Sequence, residues 1–175
     1  AKAVGISGKD GKLITAKRLL NIDQHTDSNV EKAIDLGFVG VPEKIDPQVI
    51  NALISEKMIP VIAPVGIGID GLTYNINADT AAGAISAAMK ASRMIMLTDV
   101  AGVLDKDGNL IPELTINESL ELINSKVVIG GMIPKLKTCI EAVEGGAEAA
   151  VIMDGRISHS LLLELFTEHG VGTII

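Results

Sequence analysis

Short aliphatic runs of strand length alternate along this chain with segments that favour helix. The clearest runs are residues 58–65, 94–97 and 149–153, and alanine-rich or amphipathic segments lie between them. A strand covered on both faces is a continuous apolar run, and strands that alternate with helices form mostly parallel sheets. The alternation therefore predicts an α/β fold with a mostly parallel central sheet, helices on both faces and inserted hairpins.

The composition predicts an aliphatic core and argues against several partners. Hydrophobic residues make up 47% of the 175 residues, whereas aromatic residues make up only 2%. Few rings are available to stack on single-stranded nucleic acid, and a formal net charge of −7 disfavours polyanions. We therefore expect no nucleic-acid partner.

Cysteine usage and apolar run length bear on localisation and metals. Cys139 is the only cysteine, so neither a disulfide framework nor a cysteine-ligated metal site is expected. The first twenty residues are charged at several positions, and no apolar run reaches the roughly 20 residues that span a bilayer. We expect a cytoplasmic protein without a signal peptide or membrane segment. Asp23, His25 and Asp27 lack the spacing of known metal sites, so no metal site is predicted.

Local patterns also predict the first elements. Residues 1–7 and 12–17 have strand character around a Gly-Lys-Asp-Gly turn at residues 8–11, which predicts a β-hairpin. The polar residues 21–35 are predicted to form a surface loop. Asp46–Pro47 suits the N-cap and first position of a helix.

The segment that begins at Tyr74 combines a short strand with a helix. Tyr74 and Ile76 alternate with polar residues, and an alanine-rich stretch of strong helix propensity follows. Asn77 or Asp79 can cap this helix, because each carries a side-chain oxygen for the first-turn amides. Asn75 and Asp79 are thus predicted to lie at a strand-to-helix junction, where open α/β sheets bind ligands. An ordinary capped helix with an exposed asparagine is the alternative.

Polar groups follow three of the predicted elements: Asn75 with Asp79, Thr98–Asp99 with Gly102, and Gly130–Gly131 with Lys135. The ends of parallel strands gather on one edge of a sheet. A Gly-Gly loop lets backbone amides approach an oxyanion, and a lysine at the following helix start adds a positive charge. The pattern suggests a phosphate cradle, although a structural turn with an exposed lysine is the alternative. Neither a Walker A motif nor a Gly-x-Gly-x-x-Gly fingerprint is present.

Four blocks of sequence resemble the acetylglutamate kinase family of arginine biosynthesis, and they occur in that family's order. They are residues 75–83 (NINADTAAG), 97–105 (LTDVAGVLD), 130–135 (GGMIPK) and 154–167 (DGRISHSLLLELFT). Glutamate 5-kinase, aspartokinase and uridylate kinase share the fold but fit the blocks less well. The resemblance extends from Ala1 to Ile175 and implies a three-layer αβα sandwich, the amino acid kinase fold.

The resemblance also implies a reaction and its residues. Residues 1–90 would be the remainder of a lobe that binds N-acetyl-L-glutamate, and residues 91–175 a lobe that binds ATP with Mg²⁺. The γ-phosphoryl group would pass to the side-chain carboxylate and give an acyl phosphate. Lys135 would stabilise that group, Asp79 would orient catalytic lysines, and Asn75 would bind acetylglutamate. The nucleotide pocket would be lined by Thr98, Asp99, Gly102, Val103, Leu104, Gly131 and Met132.

Regulation and assembly enter through the same resemblance. His159, Glu164 and Gly170 match an arginine effector site, and a homo-oligomer is the family expectation. The family begins with a further strand and a Gly-Gly loop bearing a second catalytic lysine, which this sequence lacks. We therefore expect the chain to correspond to about the C-terminal three-fifths of the enzyme, with little or no activity alone. A non-catalytic module that binds nucleotide or arginine is the alternative function.

Overall fold

The computed structural model describes residues 1–23, 32–167 and 170–175, which divide into two compact units, Ala1–Ala81 and Ala82–Ile175. The boundary lies near the start of the alanine-rich helix, whereas the sequence suggested a lobe boundary after Lys90. The assignment of one ligand to each lobe stays a prediction. Residues 24–31 of the loop predicted at 21–35, with His25 and Asp27, lie outside the described residues. The rest of that prediction is wrong, because residues 21–23 and 32–35 belong to strands.

The first unit contains two sheets. β1 (Lys2–Ser7) pairs in parallel with β4 (Met58–Ala63), and α1 (Gln48–Ser55) packs against β4. The other sheet closes on itself in the order β2-β3-β6-β5. Its strands are β2 (Ile14–Asp23), β3 (Lys32–Ile45), β5 (Val65–Gly68) and β6 (Thr73–Ile76).

The hairpin predicted for residues 1–17 is wrong. β1 pairs with β4, 56 positions further along the chain, while β2 pairs with β3 and β5. The turn between β1 and β2 is closed locally: Asp10 Oδ2 accepts from the Ser7 amide at 2.7 Å, and residues 10–12 form a 3-10 turn. An Asp-Gly turn therefore redirects the chain from one sheet into the other, which the local pattern cannot distinguish from a hairpin.

Two predicted helix starts are close to the observed ones. Asp46 Oδ1 accepts from the Gln48 amide at 3.1 Å, so α1 begins one residue later than the pattern suggested. Tyr74 and Ile76 of β6 are buried, as the alternation predicted. Asn77 Oδ1 accepts from the Thr80 amide at 3.1 Å, so Asn77 caps the helix that follows, α2 (Ala78–Met89).

The second unit is built on a three-stranded sheet. β7 (Met94–Thr98) pairs in parallel with β8 (Ala150–Asp154), and β9 (Thr173–Ile174) pairs antiparallel with β8. Besides residues 82–89 of α2, the described helices of this unit are α3 (Ile116–Asn124), α4 (Met132–Glu144) and α5 (Ser160–Phe166). Every described residue of β8 is buried. The core beside this sheet is aliphatic and sulfur-containing, with Met94, Met96, Val103, Leu136, Cys139, Ile140 and Ile152.

Local hydrogen bonds account for the start of α3. Thr115 and Glu118 form a capping box, in which each side chain accepts from the other residue's amide. This predicted cap is confirmed. The α/β class is also confirmed, but among the described residues the strands occur in three sheets. None of the described helices has the length and apolar character to cross a membrane.

Candidate functional site

In the second unit, the ends of β7 and β8 bring the polar residues Thr98, Asp99 and Asp154 to one edge of the sheet. Thr98 pairs with Asp154 in the parallel register, and the Gly155 amide donates to the Thr98 carbonyl at 2.9 Å. Thr98 Oγ1 lies 3.2 Å from Asp99 Oδ1, and Asp99 is exposed. Sequence reasoning placed Thr98 and Asp99 here, because a polar pair follows an apolar strand.

The Asp154–Arg156 pair at this edge was not predicted as part of the site. Arg156 donates to Asp154 through Nε at 2.9 Å and through Nη2 at 2.8 Å, and its backbone amide donates to Oδ1 at 2.8 Å. These side-chain hydrogen bonds, followed by the backbone one, lower the pKa of Asp154 from 3.8 to about 2. A sequence signal existed: Asp-Gly-Arg directly follows the buried run of β8.

The loop after β7 is held by close packing. Gly102 has φ +152°, and a Cβ at this position would lie 2.6 Å from Thr173 Oγ1. The Val103 amide donates to Thr173 Oγ1 at 2.8 Å, and the Val103 carbonyl accepts from Ile111 at 2.9 Å. The Val103 side chain is fully buried in the core, whereas Leu104 is exposed. Val103 therefore anchors a loop in which Gly102 is buried and Leu104 is exposed.

The Gly-Gly loop leads directly into α4, as predicted. Gly130 has φ +59°, and a Cβ on Gly130 or Gly131 would meet no atom within 4 Å. No side chain caps the helix, the Met132 and Ile133 amides donate to the Ile129 and Gly130 carbonyls at 3.4 and 3.2 Å, and Pro134 has no N–H. The Gly-Gly loop therefore leaves open space beside the start of α4, which carries the positive end of the helix dipole.

Lys135 lies in the first turn of α4, and its position joins this helix start to β7. Its Nζ is 4.0 Å from Sδ of Met96, two residues before Thr98. The ammonium group, the Gly-Gly loop at the start of α4 and the Thr98–Asp99 end of β7 therefore belong to one region of the second unit. Such a region can bind a phosphate, because a helix N-terminus and a lysine both stabilise an oxyanion.

Asn75 and Asp79 belong to the first unit, where they flank the β6–α2 junction. Asn75 is exposed at the penultimate position of β6, and Asp79 is half-buried in the first turn of α2. The predicted strand-to-helix junction is therefore confirmed. The roles of both residues toward a ligand stay predictions.

Two of the three predicted effector residues lie together. Glu164 is buried, its Oε1 is 3.3 Å from Arg93 Nη1, and its Oε2 accepts from the Val171 amide at 3.0 Å. A Cβ on Gly170 would lie 2.6 Å from Glu164 Oε2. Glu164 and Gly170 line a cavity of about 310 Å³. His159, in the left-handed conformation with φ +61°, precedes α5 and does not line this cavity.

The fold of both units and the motifs at the strand ends define the class of protein. The chain belongs to the amino acid kinase family, which matches residues 1–154. Its curated relatives include the acetylglutamate kinase of Gluconobacter oxydans, 63% identical over 175 residues, and that of Parvibaculum lavamentivorans, 58% identical over 174 residues. The alignments cover 100% and 99% of this chain but only 59% and 57% of those proteins. The resemblance inferred from the four sequence blocks is confirmed.

Solved structures agree with this family. N-acetylglutamate synthase from Neisseria gonorrhoeae, complexed with coenzyme A and L-arginine, is 27% identical with a TM-score of 0.81, covering 97% of this chain and 37% of the synthase. Carbamate kinase from Giardia lamblia, bound to AMP-PNP, has a TM-score of 0.64 at 19% identity, covering 91% of this chain and 52% of that kinase. The second similarity shows the fold alone.

Proposed function

We propose that the protein to which this chain belongs transfers the γ-phosphoryl group of ATP to the side-chain carboxylate of N-acetyl-L-glutamate. The observation that carries the proposal is the position of Lys135, in the first turn of α4 and against β7, within a chain 63% identical to an acetylglutamate kinase. The chain spans 59% of that relative's length. Alone, it is therefore proposed to bind nucleotide and turn over little or nothing.

The chemistry is a displacement at phosphorus. A carboxylate oxygen of acetylglutamate attacks the γ-phosphorus, the bond from that phosphorus to the β–γ bridging oxygen breaks, and ADP leaves. The product is an acyl phosphate. Charge is spread over the three equatorial oxygens during transfer, so positioned cations and N–H groups supply most of the catalysis. In this proposal Lys135 and the Gly130–Gly131 backbone at the start of α4 meet those oxygens.

The nucleotide is assigned to the second unit. Thr98, Asp99, Gly102, Leu104, Gly131 and Met132 are proposed to line its pocket, and Val103 supports the pocket through its buried anchor. Gly131 fits this role because it is exposed and has open space around it, whereas Gly102 lets the loop pack closely against Thr173.

Mg²⁺ is proposed to accompany the nucleotide. Mg²⁺ is usually held by substrate phosphates, waters and one or two carboxylates. In the part of the chain that the structure describes, no group of three or more His, Cys, Asp or Glu side chains could hold a metal ion. The exposed Asp99, beside Thr98, could supply the single protein carboxylate that an Mg²⁺ ion held mainly by phosphates and waters needs. When bound, Mg²⁺ would neutralise phosphate charge.

The acetylglutamate side of the reaction is assigned to the first unit. Asn75, exposed at the end of β6, offers an amide that can donate and accept hydrogen bonds with an amino-acid derivative. Asp79 is proposed to orient catalytic lysines. These two roles rest on the resemblance of residues 75–83 to the acetylglutamate kinase family.

A second candidate function is binding of arginine as an effector. The observation that favours it is the cavity beside Glu164 and Gly170, because a buried carboxylate is a suitable partner for a guanidinium group. The gonococcal synthase with which the chain shares its fold was solved with L-arginine. His159 does not line this cavity, so its contact with arginine is a separate proposal. A thermal shift with L-arginine but not with L-citrulline, which lacks the charge, would support this candidate.

The test of the main proposal uses Lys135→Ala with Lys137→Ala as the control, since Lys137 is an exposed lysine of the same helix. In the full-length protein, trapping the acyl phosphate with hydroxylamine should show kcat lowered about a hundredfold or more by Lys135→Ala, the range for loss of a transition-state charge contact. Lys137→Ala should be near wild type. An unchanged kcat in Lys135→Ala would refute the catalytic role and favour a binding module.

A further inference from the structure

Arg156 stands out because its guanidinium group is fixed in place while its side chain remains accessible. Two of its five N–H groups are donated to Asp154 at 2.9 and 2.8 Å. The Arg156 side chain is 69% exposed, whereas that of Asp154 is 12% exposed. The buried partner therefore orients the exposed one, and three N–H groups remain accessible to solvent or to a ligand.

The structure gives a reason for the pairing on the Asp154 side but not for the choice of arginine. A buried carboxylate needs hydrogen-bond donors, and the Arg156 amide already supplies one at 2.8 Å. An exposed ion pair contributes little to stability by itself. A guanidinium held in a bidentate pair, however, is already ordered and loses little conformational freedom when it binds an anion.

The location of Arg156 connects it with the proposed nucleotide pocket. Asp154 pairs with Thr98 in the sheet, and the intervening Gly155 donates to the Thr98 carbonyl at 2.9 Å. The Asp99 charge is close enough to contribute to the raised pKa of Arg156, after the larger effects of the Asp154 hydrogen bonds and charge. Lys135 approaches the same strand at Met96. Two cationic residues therefore belong to the region around the end of β7.

We propose that Arg156 is a further contact for the phosphate chain of the nucleotide, and that Asp154 is the positioning residue that orients it. The inference rests on the proposed function, since it extends the same pocket by one residue. The chemistry recognised is a polyphosphate, because the accessible N–H groups of a guanidinium match phosphate oxygens in geometry and charge. Adenosine, which lacks phosphates, should not depend on Arg156.

The test is calorimetric titration of the 175-residue chain with Mg-ATP and with adenosine. Arg156→Gln should weaken Mg-ATP about tenfold to a hundredfold, the effect of losing a charge-assisted hydrogen bond. Arg156→Lys should lose less Mg-ATP affinity than Arg156→Gln, because lysine keeps the positive charge but lacks the planar, forked arrangement of N–H donors. Asp154→Asn, which keeps Arg156 but loosens its orientation, should weaken Mg-ATP by a smaller factor. Adenosine affinity should not change in any of these variants.

Lys137→Gln is the charge control, and thermal unfolding of each variant checks that it folds. Equal Mg-ATP affinity in wild type and a folded Arg156→Gln overturns the inference while leaving the proposed function in place. Equal loss for Mg-ATP and adenosine also overturns it, since that result indicates a structural role. A folded wild-type chain that binds neither ligand overturns this inference and the proposed nucleotide site together. If Arg156→Gln fails to fold, Arg156→Lys and Asp154→Asn replace it in the test. A loss of affinity for Mg-ATP but not for adenosine then supports the inference, and equal affinities or equal losses overturn it.

Discussion

Two ion pairs of the second unit each join an arginine to a buried carboxylate, but they are built differently. Asp154 receives two side-chain N–H groups and one backbone amide, all from Arg156, at 2.8 to 2.9 Å. Glu164 receives one side-chain contact, from Arg93 at 3.3 Å, across 71 positions of sequence. Glu164 Oε2 also accepts a hydrogen bond from the Val171 amide at 3.0 Å.

The difference shows what each pair depends on. The Asp154–Arg156 pair closes within one turn, so it requires little beyond the end of β8. The Arg93–Glu164 pair requires the residue before β7, the helix α5 and the segment at 170–171 to come together. Changes at Glu164 should therefore affect the stability of the unit at all pH values. Changes at Asp154 should mainly affect the proposed ligand binding and the dependence of stability on pH below about 4.

Gly170→Ala should have the largest effect on stability. Gly170 has φ +56°, and the added Cβ would lie 2.6 Å from Glu164 Oε2, so backbone strain adds to a steric clash. We expect a loss of about 2 to 4 kcal/mol in the free energy of unfolding, measured with urea. Gly108→Ala is the control, because Gly108 has φ +85° but open space around a Cβ. Similar losses in both variants would mean that Glu164 can move away.

Arg93→Ala should have an intermediate effect. It removes a guanidinium from the buried carboxylate of Glu164, but the Arg93 side chain is 35% exposed, so water compensates in part. We expect a loss of about 1 to 2 kcal/mol in the free energy of unfolding. A double-mutant cycle with Glu164→Gln should give a favourable coupling energy between the two side chains. Additive single effects would show that the 3.3 Å contact contributes nothing specific.

Asp154→Asn should have the smallest effect, and that effect should depend on pH. The folded-state pKa of Asp154 is lowered to about 2 from an ordinary 3.8, chiefly by the Arg156 hydrogen bonds. The ionised carboxylate therefore stabilises the fold fully above about pH 4, and this contribution is lost as pH falls toward 2. Thermal melts of wild type and Asp154→Asn should converge over that interval. A constant difference between pH 5 and pH 2.5 would contradict the assignment.

The sequence predicted most residues of the candidate site but not the contacts that these residues make. Thr98, Asp99, Gly131 and Lys135 were predicted because polar residues follow apolar runs and a Gly-Gly loop precedes a helix. The burial of Val103 was not predicted, because it depends on contacts with Thr173, 70 positions away. Arg156 was missed because a charged residue in a turn is usually an ordinary surface residue, and its pairing with Asp154 is seen only in the structure.

The sequence by itself determined the features closed by neighbouring residues: the capping box of Thr115 and Glu118, the Asn77 cap and the Asp154–Arg156 turn. Each uses hydrogen bonds between residues two or three positions apart, so the local chain contains all the partners. Only the tertiary structure decided that β1 pairs with β4 and that Glu164 meets Arg93. Those contacts join distant segments, and the same local patterns are compatible with several pairings until the cores of the units are packed.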